Sequence, residues 1–391
     1  MQDPTTQKPE PISLTHNHQT QTSPETSSKP KSMGKRLFII LLAITLSLGG
    51  AIAYLFPKAQ SVRFASTTRQ SVSNLFTEMD TVNSSLNALF KFSTTGEESD
   101  VQLSSVDGIS VEKVGPGNEF GLRLNDLIDD LSKVFKNLEI SDRGSVNFGE
   151  KVKGFTTPAD DPNKIYRDQR DLAVNVGKSV KSSDKTINEL SRNISAKAVP
   201  NSLSSLKGDI NQLKSESQDY LSEAQKTSNY YILSSDLSIE LESNFDAFAL
   251  SLQGSSDRNS LVSSFDEISN DLRSLKSKLE KVSPTNLPSE IEDYHRDSIA
   301  LFDVVINYFD DLKVLTLKGD DKKIINLTID TSLELNKLVL SGVDHEISFW
   351  KNNQTLNSYD NISSSHTEVL KKLETEKDKS NFFLFKFFGV E

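Results

Sequence analysis

Apolar residues recur at alternating intervals of three and four along several parts of this chain, and this spacing constrains the fold more than any other feature. The clearest run comprises Val72, Leu75, Met79, Val82, Leu86 and Leu89. Two further runs, from Phe120 to Leu138 and from Leu261 to Val282, repeat it. Residues three and four apart share one face of an α-helix, whereas strand residues alternate every second position. Because each run covers only a few heptads, the pattern predicts an antiparallel bundle of several helices.

An uncharged segment from Leu37 to Phe56 precedes these runs and ends at Pro57. A helix rises ~1.5 Å per residue, so a segment of this length matches a hydrocarbon core of roughly 30 Å. Lys35 and Arg36 come directly before it, and the segment is followed by fewer basic residues. This asymmetry favours a cytoplasmic N-terminus. The sequence therefore predicts a single-pass protein of the cell membrane that contacts the lipid bilayer through residues 37–56 and has an extracytoplasmic body.

The alternative interpretation is a secretory signal peptide that is cleaved near Ala53. The tripeptide Ala51-Ile52-Ala53 has the small-x-small form of a cleavage site behind an apolar core. A signal peptide has a short basic head, however, and here a long polar segment precedes the apolar one. The apolar segment also continues through Tyr54 to Phe56. We therefore favour an uncleaved anchor.

The chain divides into five predicted regions. They are a disordered cytoplasmic tail (1–36), the transmembrane helix (37–56), an N-terminal helical region (57–198), a C-terminal helical-hairpin region (199–379) and a Phe-rich end (380–391). Two short β segments are predicted within the N-terminal helical region (57–198), near 100–115 and 145–155, the first of them around the turn Asp107-Gly108. The predicted fold class is thus mainly α: one N-terminal transmembrane helix, an antiparallel helical bundle and one or two small β-hairpins.

Breaker residues set the limits of the less regular helices. We predict helices at 163–196, 200–233, 236–253, 286–317, 320–352 and 364–379. The turns between them are placed at Pro200, Ser234-Ser235-Asp236, Gly254, Pro284 with Pro288, and Gly319-Asp320-Asp321.

Composition excludes several classes of function. The chain has no cysteine, so it forms neither disulfides nor thiolate metal sites. Its net charge is −11, and nucleic-acid binding requires surplus Lys and Arg. We therefore predict no nucleic-acid partner.

Motifs for catalysis are weak. Glu292 and His295 have the Glu-x-x-His spacing of carboxylate-bridged di-metal bundles, but that site requires a second such pair and two further carboxylates. A histidine on a solvated helix face is the favoured interpretation, so no metal or cofactor is predicted. Asp344-His345-Glu346 does not form a zincin motif, because position 349 is Phe. The sequence predicts that the protein is not an enzyme.

Five phenylalanines cluster near the C-terminus: Phe382, Phe383, Phe385, Phe387 and Phe388. If exposed, they form a docking surface for the membrane, an envelope protein or a second copy of the chain. If folded back, they close the bundle. These observations favour a non-enzymatic surface binding or scaffold protein. The alternatives are a ligand-binding or sensory extracytoplasmic domain and, with less support, a metal-dependent enzyme.

We predict that the anchor is retained in the mature protein. Protein extracted from membranes should have the intact mass of the full chain, and an alkaline carbonate wash should leave it in the membrane pellet. A mature chain that begins near Tyr54 and appears in the supernatant would contradict this prediction.

Overall fold

A computed structural model describes residues 33–95, a set of positions between 116 and 135, and residues 163–195, 199, 201–255 and 257–379. The described residues are almost entirely helical and contain no strand, so the mainly α prediction is confirmed. The two predicted β segments, most of the predicted tail and the Phe-rich end lie outside the described residues.

The helices of the described residues, in chain order, are α1 (Met33–Thr95), α2 (Lys164–Ser195), α3 (Ser204–Gly254), α4 (Arg258–Glu280), α5 (Glu292–Lys318), α6 (Asp321–Asn352) and α7 (Tyr359–Asp378). Short 3₁₀ turns lie at Asn201–Leu203, Pro284–Asn286 and Leu356–Ser358. The described positions between 116 and 135 are helical as well. The chain divides into two compact units, each with most of its contacts inside itself: residues 1–56 and residues 57–391.

The predicted span falls within α1, which begins at Met33 rather than at Leu37. Its described side chains are those of residues 42, 45, 49, 50 and 52–56. Among the described residues, no helix is apolar over the length needed to cross a membrane. The span therefore stays a prediction.

Helix ends in the second half have local chemical causes. The carboxylate of Asp257 accepts a hydrogen bond from the Ser260 amide at 2.8 Å, and the Ser260 hydroxyl accepts one from the Asp257 amide at 3.0 Å. This capping box fixes the start of α4. Gly319 ends α5 with φ of 66°, a left-handed conformation that glycine adopts without strain. The turn predicted at Gly319-Asp320-Asp321 is confirmed.

The turn predicted at Ser234-Ser235-Asp236 is wrong, because α3 runs without interruption for 51 residues, or ~76 Å at the helical rise. Serine and aspartate favour turns when their side chains bond to nearby backbone. Here the Ser235 hydroxyl donates instead to the Gln169 side chain of α2, at 2.9 Å. Tertiary packing thus overrides the local preference.

A first core joins six helices within the unit 57–391. It contains residues of α1 from Phe64 onward, α2, the part of α3 up to Tyr231, and α7, together with Tyr294 of α5 and Phe349 and Trp350 of α6. All six residues of the predicted run from Val72 to Leu89 are fully buried, so that helix face is confirmed. Polar bonds also join the helices: the Asn193 amide donates to Ser71 at 2.8 Å, and the Gln169 amide donates to Ser93 at 3.1 Å.

A second core joins the helical positions at 124–135, the part of α3 from Leu237 onward, α4, α5 and α6. The predicted run on α4 is buried from Leu261 to Leu279. Arg123 donates two hydrogen bonds to the buried Glu242, each of 3.1 Å, and so attaches the 116–135 region to α3. This ion pair raises the pKa of the Arg123 guanidinium, chiefly through the hydrogen bonds to Glu242.

The continuity of α3 is testable with proline. Asp236 is half exposed and forms an ion pair with Arg170. Asp236→Pro should lower the free energy of unfolding by about 3 kcal/mol or more, because proline removes a helical hydrogen bond and clashes with the carbonyl of Ile232. Asp236→Ala should cost at most about 1 kcal/mol, because exposed ion pairs contribute little.

Chemical unfolding of the detergent-solubilised full chain measures both values. A turn at 234–236 would place residue 236 in a first helical turn, where proline is tolerated. Equal stability of the two variants would therefore contradict a continuous α3.

Candidate functional site

A cleft, here called the central cleft, lies where the two cores meet. Its cavity volume is about 50 Å³, and about 700 Å³ when the part open to solvent is included. Three helices supply most of its wall: α3 with Tyr230, Ser234, Leu237 and Ser238; α5 with Tyr294, Asp297, Ser298, Leu301 and Phe302; and α6 with Val339, Gly342, Val343 and Glu346. Gln169, Leu279 and Pro116 complete it.

Helical periodicity brings these side chains together. On each of the three helices, the lining residues are three or four positions apart or adjacent, so they form one stripe facing the cleft. Gly342 is the smallest member. A Cβ atom at this position would meet no heavy atom within 4 Å, although the residue is buried. The glycine therefore leaves open space in the wall of the cleft.

Glu346 is the most unusual side chain of the cleft. It is only 3% exposed, and burial raises the pKa of its carboxyl group to about 7. The Tyr231 hydroxyl donates to its Oε1 at 2.7 Å, which opposes part of that increase. Among the described residues, none donates a hydrogen bond to the other carboxyl oxygen.

Aromatic rings hold Glu346 in place. The Trp350 indole donates to the Tyr231 hydroxyl oxygen at 3.0 Å, and the two rings stack with centroids 5.7 Å apart. Tyr230 packs edge-on against both Tyr231 and Tyr294. Burial raises the pKa of Tyr231 and of Tyr294 well above the ordinary value, so both remain neutral.

A second buried carboxyl group, that of Asp297, lines the same cleft and is 7% exposed. Its Oδ2 accepts a hydrogen bond from the Ser341 hydroxyl at 2.7 Å and lies 2.8 Å from His345 Nδ1. No described residue forms a hydrogen bond with its Oδ1. These contacts hold the carboxylate at the wall of the cleft.

This Ser-His-Asp group does not have the geometry of a catalytic triad. In a triad, serine and aspartate contact opposite nitrogens of the imidazole, so that histidine accepts the serine proton. Here both Asp297 and Ser341 lie on the Nδ1 side of His345, and the serine proton is donated to the aspartate. The arrangement positions Asp297 and does not activate Ser341 as a nucleophile.

The structure does not bring the predicted metal pair into one site. Glu292 is exposed at the start of α5, whereas His295 is buried with its Nδ1 3.4 Å from the Tyr230 hydroxyl. Burial lowers the pKa of His295 below its ordinary value. Among the described residues, no group of three or more His, Asp or Glu side chains is placed to hold a metal ion. The docking residues Phe382, Phe383, Phe385, Phe387 and Phe388 lie outside the described residues.

Sequence reasoning missed the two carboxyl groups of the cleft. Glu346 was considered only as part of a zincin motif that the sequence does not form. One signal was available: Glu346 shares a helix face with Val339, Val343 and Trp350, three and four residues apart in turn. A carboxyl group on the apolar face of a helix is rarely buried without a partner.

Comparisons with known proteins assign neither a fold nor a site to this chain. No protein-family model, curated protein or solved structure matches it. The geometry of the central cleft is therefore the basis for assigning a function to this chain.

The pKa of Glu346 predicts how stability depends on pH. Because the folded-state pKa is raised from near 4.5 to about 7, the protonated form favours folding. This stabilisation is present below pH 4.5 and is lost as the pH rises through 7. The charged and titratable groups around Glu346 are Tyr230 and Tyr231 on α3, Tyr294 and Asp297 on α5, and His345 on α6.

We expect the free energy of unfolding of the wild type to fall by roughly 3 kcal/mol relative to Glu346→Gln over this interval. Urea unfolding at stepped pH values between 5 and 8 measures the difference. Glu292→Gln is the control, since it removes an exposed carboxyl group and should keep the wild-type slope. Parallel pH profiles for the wild type and Glu346→Gln would contradict the prediction.

Proposed function

We propose that this chain is a non-enzymatic binding protein whose folded domain takes a small ligand in the central cleft. One observation carries the proposal: Glu346 and Asp297 are buried at the wall of the cleft, and each has a carboxyl oxygen without a hydrogen bond from the described residues. A mostly apolar pocket with a few convergent polar groups is the usual form of a small-molecule site.

The energetic cost of these carboxyl groups supports binding over simple packing. Burying a carboxyl group costs free energy that the hydrogen bonds from Tyr231 to Glu346 and from Ser341 to Asp297 offset only in part, so a helix face selected for packing alone would carry an apolar residue there. A ligand that donates hydrogen bonds would satisfy the unpaired oxygens. The two carboxyl groups would then have hydrogen bonds in the bound state that they lack in the free state.

The contacts of Ser341 support binding over catalysis. Its hydroxyl donates to Asp297, so His345 is not placed to remove the serine proton. Tyr294 lines the cleft, and burial raises the pKa of its hydroxyl, so it remains a neutral donor that suits recognition of a ligand.

We further propose that residues 37–56 hold this domain at the cell membrane, with the N-terminus in the cytoplasm and the ligand-binding domain outside. The absence of charge from Leu37 to Phe56 and the basic residues before it support this placement. In this setting the domain would bind an extracytoplasmic ligand and act as a sensory or surface-binding module. Secretion after cleavage near Ala53 is the alternative placement.

Gly342 offers a direct test of the cleft. Leucine at this position would extend into the open space of the cavity without a backbone clash, because nothing lies within 4 Å of its Cβ. Leucine is also a better helix former than glycine. We therefore expect Gly342→Leu to fold and to lose ligand binding.

The test is a thermal-denaturation screen of a fragment library against the full chain in detergent. A ligand of the cleft should raise the Tm of the wild type, and this increase should depend on ligand concentration as binding to one site requires. The Tm of Gly342→Leu should stay unchanged. Gly208→Leu is the matched control, since Gly208 is an exposed glycine in α3 with equally open space around its Cβ. If every stabilising fragment acts equally on Gly342→Leu, or if none stabilises the wild type, the proposed function is wrong.

A further inference from the structure

The charged side chains among the described lining residues of the central cleft are all acidic. Two carboxyl groups line it, and among the described lining residues there is no lysine and no arginine. Asp297 has a cationic partner when His345 is protonated, at 2.8 Å. Glu346 forms no ion pair with any described residue; its hydrogen-bond partner is the neutral Tyr231. A negative group without a counter-charge therefore lies at the wall of the cleft.

Aromatic side chains line the same cleft. They are Tyr230, Tyr294 and Phe302. The faces of such rings attract cations, and this attraction strengthens where water is excluded. The hydroxyl of Tyr231 is already committed to Glu346 and Trp350, so it is not available to a ligand as a further donor.

The cleft also has an apolar part. Leu237, Leu301 and Val339 contribute buried side chains to it, and Val339 lies two helical turns before Glu346 on α6. The cavity volume of about 50 Å³ suits a short branched chain. A ligand that matches this lining has a compact apolar part and one polar end.

We propose that the ligand of the central cleft is a small organic cation with N–H donors, a primary ammonium group on a short apolar chain, and that Glu346 binds the ammonium group. This inference rests on the proposed function and specifies its ligand class. The ammonium group donates to the unpaired oxygen of Glu346, while the tyrosine rings contact its charge. The apolar chain packs against the leucine and valine side chains.

An anion does not fit this site, because two carboxyl groups would repel it and no lining side chain in the described part of the chain compensates. A neutral alcohol of the same shape would fill the apolar part and donate one hydrogen bond. A charge-assisted hydrogen bond is roughly twice as strong as a neutral one. The charge of the ligand therefore decides its affinity once its shape is held constant.

Three compounds with one carbon skeleton test the proposal: 3-methylbutylamine, 3-methylbutan-1-ol and 3-methylbutanoate. Ligand-observed NMR titrations of the full chain in detergent at pH 8 give the Kd of each. We expect the amine to bind about tenfold more tightly than the alcohol, a difference that corresponds to one strong polar contact, and the carboxylate to show no saturable binding. Gly342→Leu should abolish amine binding.

The variant Glu346→Gln separates charge from shape. It should weaken amine binding about tenfold and change alcohol binding by less than about twofold, because the amide keeps the shape of the carboxyl group but not its charge. If this variant does not fold, the comparison of the three compounds on the wild type decides the question. Unchanged amine binding in a folded Glu346→Gln variant would overturn the proposal.

The outcomes also separate this proposal from the proposed function. If the alcohol or the carboxylate binds as tightly as the amine and is blocked by Gly342→Leu, the cleft is a binding site but not one for cations. If none of the three binds, the cationic ligand is excluded, and the fragment screen against Gly342→Leu decides on the binding function itself.

Discussion

The apolar face of α3 is the constraint on which the rest of the folded domain depends. Its first half, to Tyr231, packs in the core with α1, α2 and α7, and its second half, from Leu237, packs in the core with α4, α5 and α6. The shorter helices α5 and α6 also contribute to both cores, but α3 runs through them for 51 residues and so helps to set the distance and rotation between them. Between these two halves, α3 has a short serine-rich segment. At this level the side chains of the two cores do not fill all the space, and the central cleft remains between them.

The cleft is thus a consequence of how two cores are joined. Buried aromatic residues from α3 and α6 lie at the junction, with Tyr231 and Trp350 stacked and hydrogen-bonded. Glu346 lies where an apolar residue would complete the packing. A carboxyl group in this position has a pKa raised by burial, so it weakens the free domain at neutral pH. Strongly shifted pKa values are typical of functional sites, and this is one reason for proposing a ligand here.

Much of the helical architecture was predictable. The alternating spacing from Val72 to Leu89 and from Leu261 to Leu279 correctly identified buried helix faces, because periodicity reports directly which side of a helix avoids water. The turn at Ser234-Ser235-Asp236 was predicted wrongly, since local turn preference is weak and the hydrogen bond from Ser235 to Gln169 is not visible in the sequence. The candidate metal pair was chosen from spacing alone, and the structure leaves Glu292 exposed and His295 buried.

By itself, the sequence determined the helical class, the faces that are buried and a segment from Leu37 to Phe56 that is predicted to enter a membrane. Those properties follow from the order of polar and apolar residues within single helices. Only the tertiary structure decided that α3 is continuous, that two cores share it, and that Glu346, Asp297 and Tyr230 meet at one cleft. The reason is physical, since these side chains belong to three different helices. Whether they approach one another depends on how whole helix faces pack, and no local sequence pattern encodes that packing.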